Sequence, residues 1–287
     1  MLVQSSLCAL TLDQHGALSI VWWVVGVAIF LALVACAIRM VSNSYTGPYG
    51  FWVTGRSMTR TGRFAEAEQC YRKALAVGCK LSPPQRSNLL TCLGGALMDL
   101  DRYPESQECL EAALNVGDST GSIRAGMADR LLLEGADPRG ALAWADQALQ
   151  ESPDGLDGEL ETDPIVLQPC ISVAQAERWA RRAWALALLG RQSESQESID
   201  SALKLALPAC TALTNLGAGD WSTRMVPPSL GSFCLASIHW RTGMAHVAMG
   251  QSDLARDHFL VATKAAPRSK YADRCRQQLE SLRTSPG

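Results

Sequence analysis

The stretch Thr61–Leu81, TGRFAEAEQCYRKALAVGCKL, decides the fold, because its pattern of small, large and charged residues returns at Leu100–Gly117 as LDRYPESQECLEAALNVG. When Phe64 is aligned with Tyr103, the two segments stay in register. The same frame recurs three more times, over residues 138–153, 192–208 and 252–267. A pattern repeated five times along one chain predicts an array of similar structural units.

Side chains of similar size recur at fixed positions of this frame. Two columns hold small residues, at Ala67, Ser106, Ala141, Ser195 and Ala255, and at Ala74, Ala113, Ala148, Ala202 and Ala262. A column of larger side chains lies between them, at Tyr71, Leu110, Ile199 and Phe259. Because the columns are three or four residues apart, they share one face of a helix, so each copy predicts an amphipathic helix.

A preceding helix belongs to each copy, with a small residue where two helices can approach closely. Three glycines suit the left-handed residue that ends this first helix, and three prolines are expected to close the second helix. The small residues are Gly55, Gly94, Ala183 and Gly243, the glycines are Gly62, Gly190 and Gly250, and the prolines are Pro153, Pro208 and Pro267. The third copy departs most, with Asp129 at the small position and Pro138 in the turn.

This arrangement resembles the tetratricopeptide repeat (TPR) family, whose units are helix–turn–helix pairs of about 34 residues. The resemblance implies an all-α solenoid of about five units over residues 48–267. We expect the units near residues 48–81, 87–120, 122–155, 176–209 and 236–267. Loop insertions are predicted near 154–173 and near 210–233. Residues 268–287 are predicted to form a capping helix and tail, because a cap shields the open end of a solenoid from water.

The N-terminal part of the chain has a different character. Residues 1–16 form a short segment, residues 17–38 (ALSIVWWVVGVAIFLALVACAI) carry no charge, and residues 39–47 form a linker. At about 1.5 Å per residue the uncharged run can cross a hydrocarbon core of about 30 Å, so it predicts a single transmembrane helix in contact with the lipid bilayer. Two alternatives stay open, a buried core helix and a signal sequence cleaved or lipidated near Cys36, although residues 1–16 lack the usual basic residues.

The charges that flank this run predict its orientation. Asp13 comes before the run, whereas Arg39 and Arg56 follow it. Basic residues stay on the cytoplasmic side of a membrane. The sequence therefore predicts a single-pass membrane protein with a cytoplasmic repeat domain.

Composition and motifs argue against several classes of function. A net charge of −2 and a pI near 6.1 argue against a nucleic-acid partner. His239 and His246 share one helix face without a further ligand at comparable reach, so we expect core histidines and predict no metal or cofactor. The sequence contains no G-x-S-x-G, H-E-x-x-H or dinucleotide fingerprint, so we predict that the protein is not an enzyme.

The TPR resemblance implies a protein or peptide partner, because members of that family bind extended peptides or helices in a concave groove lined by first helices. The corresponding groove positions here are Trp52, Arg56, Arg60, Arg130, Trp184, Leu188, Trp240, Met244 and Val247. Such a groove is basic at one end and apolar at the other, which favours an acidic segment followed by aromatic or aliphatic anchors. In the alternative, the insertions or the capping helix cover Trp184 and Trp240.

The sequence therefore predicts a non-enzymatic, membrane-anchored adaptor or scaffold that recruits or organises partner proteins. Two alternatives stay open at this point. One is an assembly or quality-control factor on the non-cytoplasmic side of a bacterial membrane. The other is an accessory structural subunit of a larger membrane complex.

Overall fold

The computed structural model describes residues 25, 27, 29–30, 47–77, 81–117, 121–151, 164–218 and 229–284. From residue 47 onward, these described ranges hold eleven α-helices and no strand. In chain order they are α1 (Pro48–Arg60), α2 (Phe64–Val77), α3 (Pro83–Met98), α4 (Tyr103–Val116), α5 (Ser122–Glu134), α6 (Pro138–Gln150), α7 (Pro164–Leu188), α8 (Gln192–Ala218), α9 (Leu230–Ala248), α10 (Ser252–Ala265) and α11 (Lys270–Thr284).

The first ten helices form five consecutive pairs, from α1–α2 to α9–α10, and α11 follows the last pair. The two helices of each pair pack against each other, and each second helix also packs against the first helix of the next pair. The described chain is therefore an all-α solenoid of TPR-like helix pairs, as the sequence pattern predicts.

The predicted packing columns lie where the two helices of a pair meet. The large column is at most 1% exposed at each of its members, Tyr71, Leu110, Ile199 and Phe259. In the last pair, Gly243 of α9 lies so close to α10 that a β-carbon added to it would fall 2.7 Å from Cδ1 of Phe259. In the fourth pair, Oγ of Ser195 donates a hydrogen bond to the carbonyl of Ala183 at 2.9 Å. Small residues on one helix thus receive large residues from the other.

Gly243→Ala is expected to destabilise the fold, because the added methyl group has no room beside the Phe259 ring. Overpacking of this kind costs about 1–3 kcal/mol. Gly95→Ala is the matched control, because a β-carbon at that helical glycine meets nothing within 4 Å, and alanine favours a helix over glycine by about 1 kcal/mol. Urea unfolding of the two variants measures the difference. Equal stability of both variants would contradict the close approach of α9 and α10.

Two helices are longer than the repeat pattern predicts. α7 begins at Pro164 and α8 continues to Ala218, so parts of both predicted loop insertions are helical. The additional turns carry apolar residues at helical spacing, which pack into one core cluster that includes Cys170, Val173, Ala176, Ala209, Cys210 and Leu213. Pro208 lies inside α8 rather than at its end. Burial of this face on both sides of the proline offsets the backbone hydrogen bond that proline removes.

The prediction of a transmembrane helix over residues 17–38 is corrected by the structure, together with the single-pass membrane localisation and the lipid contact derived from it. In the part of the chain that the structure describes, no helix combines the length and the apolar character that crossing a membrane requires. α7 and α8 are long enough, but charged side chains such as Arg178, Arg181 and Glu197 interrupt them. Most of residues 17–38, like residues 1–16 and 39–46, lie outside the described residues.

Candidate partner-binding groove

The first helices of the five pairs form what we call the inner wall, made of α1, α3, α5, α7 and α9. Each of these helices contacts the first helix of the next pair, from α1 to α3 and onward to α9. This direct contact places the first helices on the concave side of the solenoid, with the second helices behind them. The inner wall is therefore where side chains from different pairs can meet.

An ion network joins the last three pairs on the inner wall. It consists of Asp129 on α5, Glu177 and Arg181 on α7, and Ser237 and Arg241 on α9. Arg241 donates from Nε and Nη2 to Asp129 at 3.0 and 2.7 Å, and Nη2 of Arg181 lies 2.9 Å from the same carboxylate. Ser237 donates to Oε1 of Glu177 at 2.6 Å and accepts a short hydrogen bond from Arg241. The third, fourth and fifth pairs are thus tied together by charge.

The ion network is buried, so each charged group in it is stabilised by the opposite charges of the others. Side-chain exposure is 11% for Asp129, 9% for Arg181 and 4% for Arg241. Burial alone raises the pKa of a carboxyl, but the guanidinium groups of Arg181 and Arg241 hold the pKa of Asp129 well below its usual range. Burial likewise opposes the charge of Arg241, yet Asp129 raises the pKa of Arg241 above its usual value. Asp129, which breaks the small column in the third copy, is therefore the counter-ion of two buried arginines.

An aromatic cluster borders the ion network, and α11 covers it. Trp184 and Trp240 meet edge to face with ring centroids 5.4 Å apart, and Tyr271 of α11 lies 5.5 Å from Trp240. Arg274 of α11 stacks over the Trp240 ring at 4.8 Å, while Arg241 stacks over the same ring at 5.5 Å. Trp184 and Trp240 are only 4% and 3% exposed. Trp240 thus lies beneath the capping helix, as in the alternative that the sequence left open, and Trp184 is buried against Trp240.

The N-terminal groove positions lie apart from this cluster. Trp52 on α1 is 3% exposed, and its Nε1 donates to Sγ of Cys92 on α3 at 3.5 Å. Arg56 stacks over the Trp52 ring at 5.7 Å, with its charged end toward an aromatic face. Trp52 belongs to a separate core cluster formed by the first two pairs. Trp52 and Arg56 therefore belong to a packing unit separate from the one that contains Trp184 and Trp240.

The other predicted positions differ in how accessible they are. Arg130 on α5 pairs with Glu134 on the same helix at 2.6 Å. Met244 and Val247 are half-buried and pack against the core cluster that contains the two central tryptophans. Leu188, at the end of α7, is 42% exposed. Partner binding by the predicted groove residues stays a prediction, and Leu188 is the apolar position among them that is open to solvent.

The end of the solenoid returns to its beginning. Asp99, in the turn between α3 and α4, has a side chain only 3% exposed, and α11 supplies both of the cations that face it. Lys270 donates to Oδ2 at 2.6 Å and Arg274 donates to Oδ1 at 2.7 Å. Lys270 also lies 5.7 Å from the ring of Phe64 at the start of α2. Beside this closure is a cleft of about 320 Å³, lined by Arg60, Thr61, Ser229, Ser232, Phe233 and the segment 265–269.

Three histidines meet between α9 and α10. The Nδ1 atoms of His239 and His258 are 2.8 Å apart, so one ring donates a hydrogen bond to the other. His246 stacks on His258 with centroids 5.1 Å apart, and its Nδ1 lies 2.7 Å from Oε1 of Gln251. Burial lowers the pKa of His239 to about 4, and burial together with the neighbouring histidines lowers that of His258 to about 4. Within the described ranges, no three His, Cys, Asp or Glu side chains are placed to hold a metal ion.

Comparison with known proteins adds a likeness to solved structures. No protein-family model matches the chain, and no curated protein matches it. Among solved structures, the crystal structure of MamA is similar over 75% of this chain and 95% of its own, with 14% sequence identity and a TM-score of 0.37. The fold assignment rests on the helix pairs and their packing within this chain.

Proposed function

We propose that this chain is a non-enzymatic protein-interaction scaffold that binds a segment of a partner protein along its inner wall. The observation that carries the proposal is the convergence of three helix pairs on the ion network, through Asp129, Arg181 and Arg241. A wall held in this way is preorganised. Preorganisation lowers the free-energy cost of ordering a binding surface when a partner arrives.

The chemistry of the inner wall supports binding rather than catalysis. The charged groups of the ion network pair with one another, and the three histidines are hydrogen-bonded and stacked among themselves. A catalytic acid or base needs to reach a substrate proton, and these groups are engaged with each other instead. By contrast, Val53 and Leu188 on first helices are 47% and 42% exposed and offer apolar contact area to a polypeptide.

Photo-crosslinking from single positions tests the proposal. p-Benzoylphenylalanine replaces Val53 or Leu188 on the inner wall, and Leu207 or Leu260 on second helices serves as the matched control. The control side chains are 54% and 50% exposed, so accessibility is comparable. We expect a discrete crosslinked protein from the inner-wall positions, at least about tenfold more abundant than from the controls, which corresponds to about 1.4 kcal/mol of preference.

Excess unmodified chain is expected to compete for this crosslink, because it offers the same surface to the partner. Crosslinks that form equally from the inner wall and from Leu207 or Leu260 would contradict a binding site on the inner wall. Crosslinks from the second helices alone would move the binding surface to the outer side of the solenoid.

A further inference from the structure

We infer that α11 is a built-in occupant of the inner wall, and that the external partner is a helix of the same chemistry. Such a helix carries an aromatic residue with one basic residue directly before it and another three residues after it, as Lys270, Tyr271 and Arg274 do in α11. This inference rests on the proposed function and specifies the class of partner that the inner wall accepts.

The composition of α11 shows that it is held by a narrow stripe rather than by a broad apolar face. Tyr271 and Cys275 are buried in the core cluster that contains Trp184 and Trp240, and Leu279 and Leu282 pack against the same cluster. Among the described helices, α11 is the most polar, and its buried residues are Tyr271, Ala272 and Cys275. A polar helix with a small buried stripe can leave the body without exposing a large apolar face of its own.

The surface beneath α11 has two recognition elements that suit a basic and aromatic helix. The first is the carboxylate of Asp99, whose two oxygens accept hydrogen bonds from Lys270 and Arg274. The second is the ring of Trp240, which contacts both Tyr271 and the guanidinium of Arg274. A buried carboxylate and an exposed indole face would both need new partners once α11 leaves.

These elements reverse the charge preference that the sequence pattern suggests. The predicted arginine positions of the groove favour an acidic ligand, but Arg56 stacks over Trp52 and Arg130 pairs with Glu134. The carboxylate that faces α11 is Asp99, and it selects for positive charge. An acidic segment would meet repulsion at this site, whereas a basic and aromatic helix matches it.

The affinity for a partner helix depends on how readily α11 is displaced. Because α11 is tethered beside its site by the short connection after α10, it competes at a high effective concentration. An external helix therefore binds only to the fraction of molecules in which α11 has left, and its apparent affinity is reduced by that fraction. Weakening the attachment of α11 is expected to raise the affinity for a partner helix without changing the receiving surface.

The test uses the full chain and a labelled peptide. The double variant Lys270→Glu, Arg274→Glu reverses the two charges that α11 offers to Asp99 and leaves Asp99 and Trp240 unchanged. The probe is a fluorescein-labelled peptide with the native sequence of residues 267–284. By fluorescence anisotropy, we expect the probe to bind the double variant at least about tenfold more tightly than the wild-type chain, because the tethered competitor is repelled.

Controls separate recognition from unspecific charge effects. Arg268→Glu with Arg283→Glu makes the same change of net charge on exposed side chains, and this chain is expected to bind the probe as weakly as the wild type. A probe with Tyr271→Ala is expected to lose binding to the double variant, and so is the native probe when Asp99→Ala is added to that variant. Equal probe binding by the wild type and the double variant would overturn the inference.

Hydrogen exchange gives a second reading that does not depend on the double variant. In the Asp99→Asn chain, we expect the amides of α11 to exchange at least about tenfold faster while those of α9 and α10 keep their protection. Unchanged hydrogen exchange in α11 would overturn the inference. A dimer in which two copies swap α11 would overturn it as well. If these tests fail while the crosslinks from Leu188 persist, the scaffold function stands and only the role of α11 is lost.

Discussion

Asp129→Ala is expected to lower the free energy of unfolding by about 3–5 kcal/mol, because two buried guanidinium groups lose the carboxylate that both of them bind and keep only Glu177, 3.5 Å from Arg181, as a counter-charge. Arg241 is 4% exposed and Arg181 is 9% exposed, and both bind the Asp129 carboxylate. A water molecule in the vacated space would carry no charge, so most of the desolvation penalty of both arginines remains. Urea unfolding followed by circular dichroism measures the loss.

Asp146→Ala is the matched control for this experiment. Asp146 accepts from Arg182 at 2.7 Å, but its side chain is 44% exposed, and exposed ion pairs contribute at most about 1 kcal/mol. The variant Asp129→Leu, Glu177→Gln, Arg181→Met, Arg241→Met removes all four charges of the network and is expected to recover most of the loss, since apolar residues often replace a buried ion pair without cost. Similar losses at Asp129 and Asp146 would show that the ion network contributes no more than a surface pair.

Acidification from about pH 6.5 to pH 4 is expected to destabilise the chain through the histidine cluster. An unfolded histidine has a pKa of about 6.5, whereas the pKa values of His239 and His258 in the folded chain are lowered to about 4. Between these values the unfolded chain binds protons that the folded chain does not, so stability falls as the pH falls. The slope is at most about 1.4 kcal/mol per pH unit for each histidine, and less for the half-buried His258.

Variants separate this effect from the carboxylates that titrate in the same range. His258→Gln removes one of the two titrating groups and is expected to reduce the slope between pH 6.5 and 5, where few carboxylates change charge. Lys264→Gln on the same helix is the matched control and is expected to keep the wild-type slope. Urea unfolding at a series of pH values gives the slopes. A His258→Gln chain with the wild-type slope would contradict a neutral histidine pair in the folded state.

The repeat pattern was sufficient to predict the helix pairs and their contacts. Close approach at Gly243, and burial of Phe259 against it, follow from the size columns because neighbouring helices in one pair are local in sequence. The same local reasoning placed the end of a helix at Pro208, where the structure continues α8. A proline weakens a helix by one hydrogen bond, but it does not reveal how much apolar surface the next turns can bury.

The side-chain contacts on the inner wall were harder to predict, because they join residues that are distant in the sequence. Asp129 appeared in the sequence as a departure from the repeat, but its partner Arg241 is 112 residues away, and no spacing rule connects them. His258 was missed for a related reason, since it lies on a different helix from His239 and His246. The repeat pattern placed Trp184 and Trp240 on the correct helices, but helical periodicity does not show which other elements pack against them.

The closure between Asp99 and Lys270 joins residues 171 positions apart, so it affects how the chain unfolds. In an open array each unit touches only its neighbours, so terminal units can fray one at a time. Here the departure of α11 also removes the counter-charges of the buried Asp99 carboxylate in the second pair. Opening at the C-terminal end therefore affects the N-terminal part of the solenoid. Detachment of α11 therefore costs more than the fraying of a terminal unit in an open array, because it breaks contacts with the second pair as well as with the fifth.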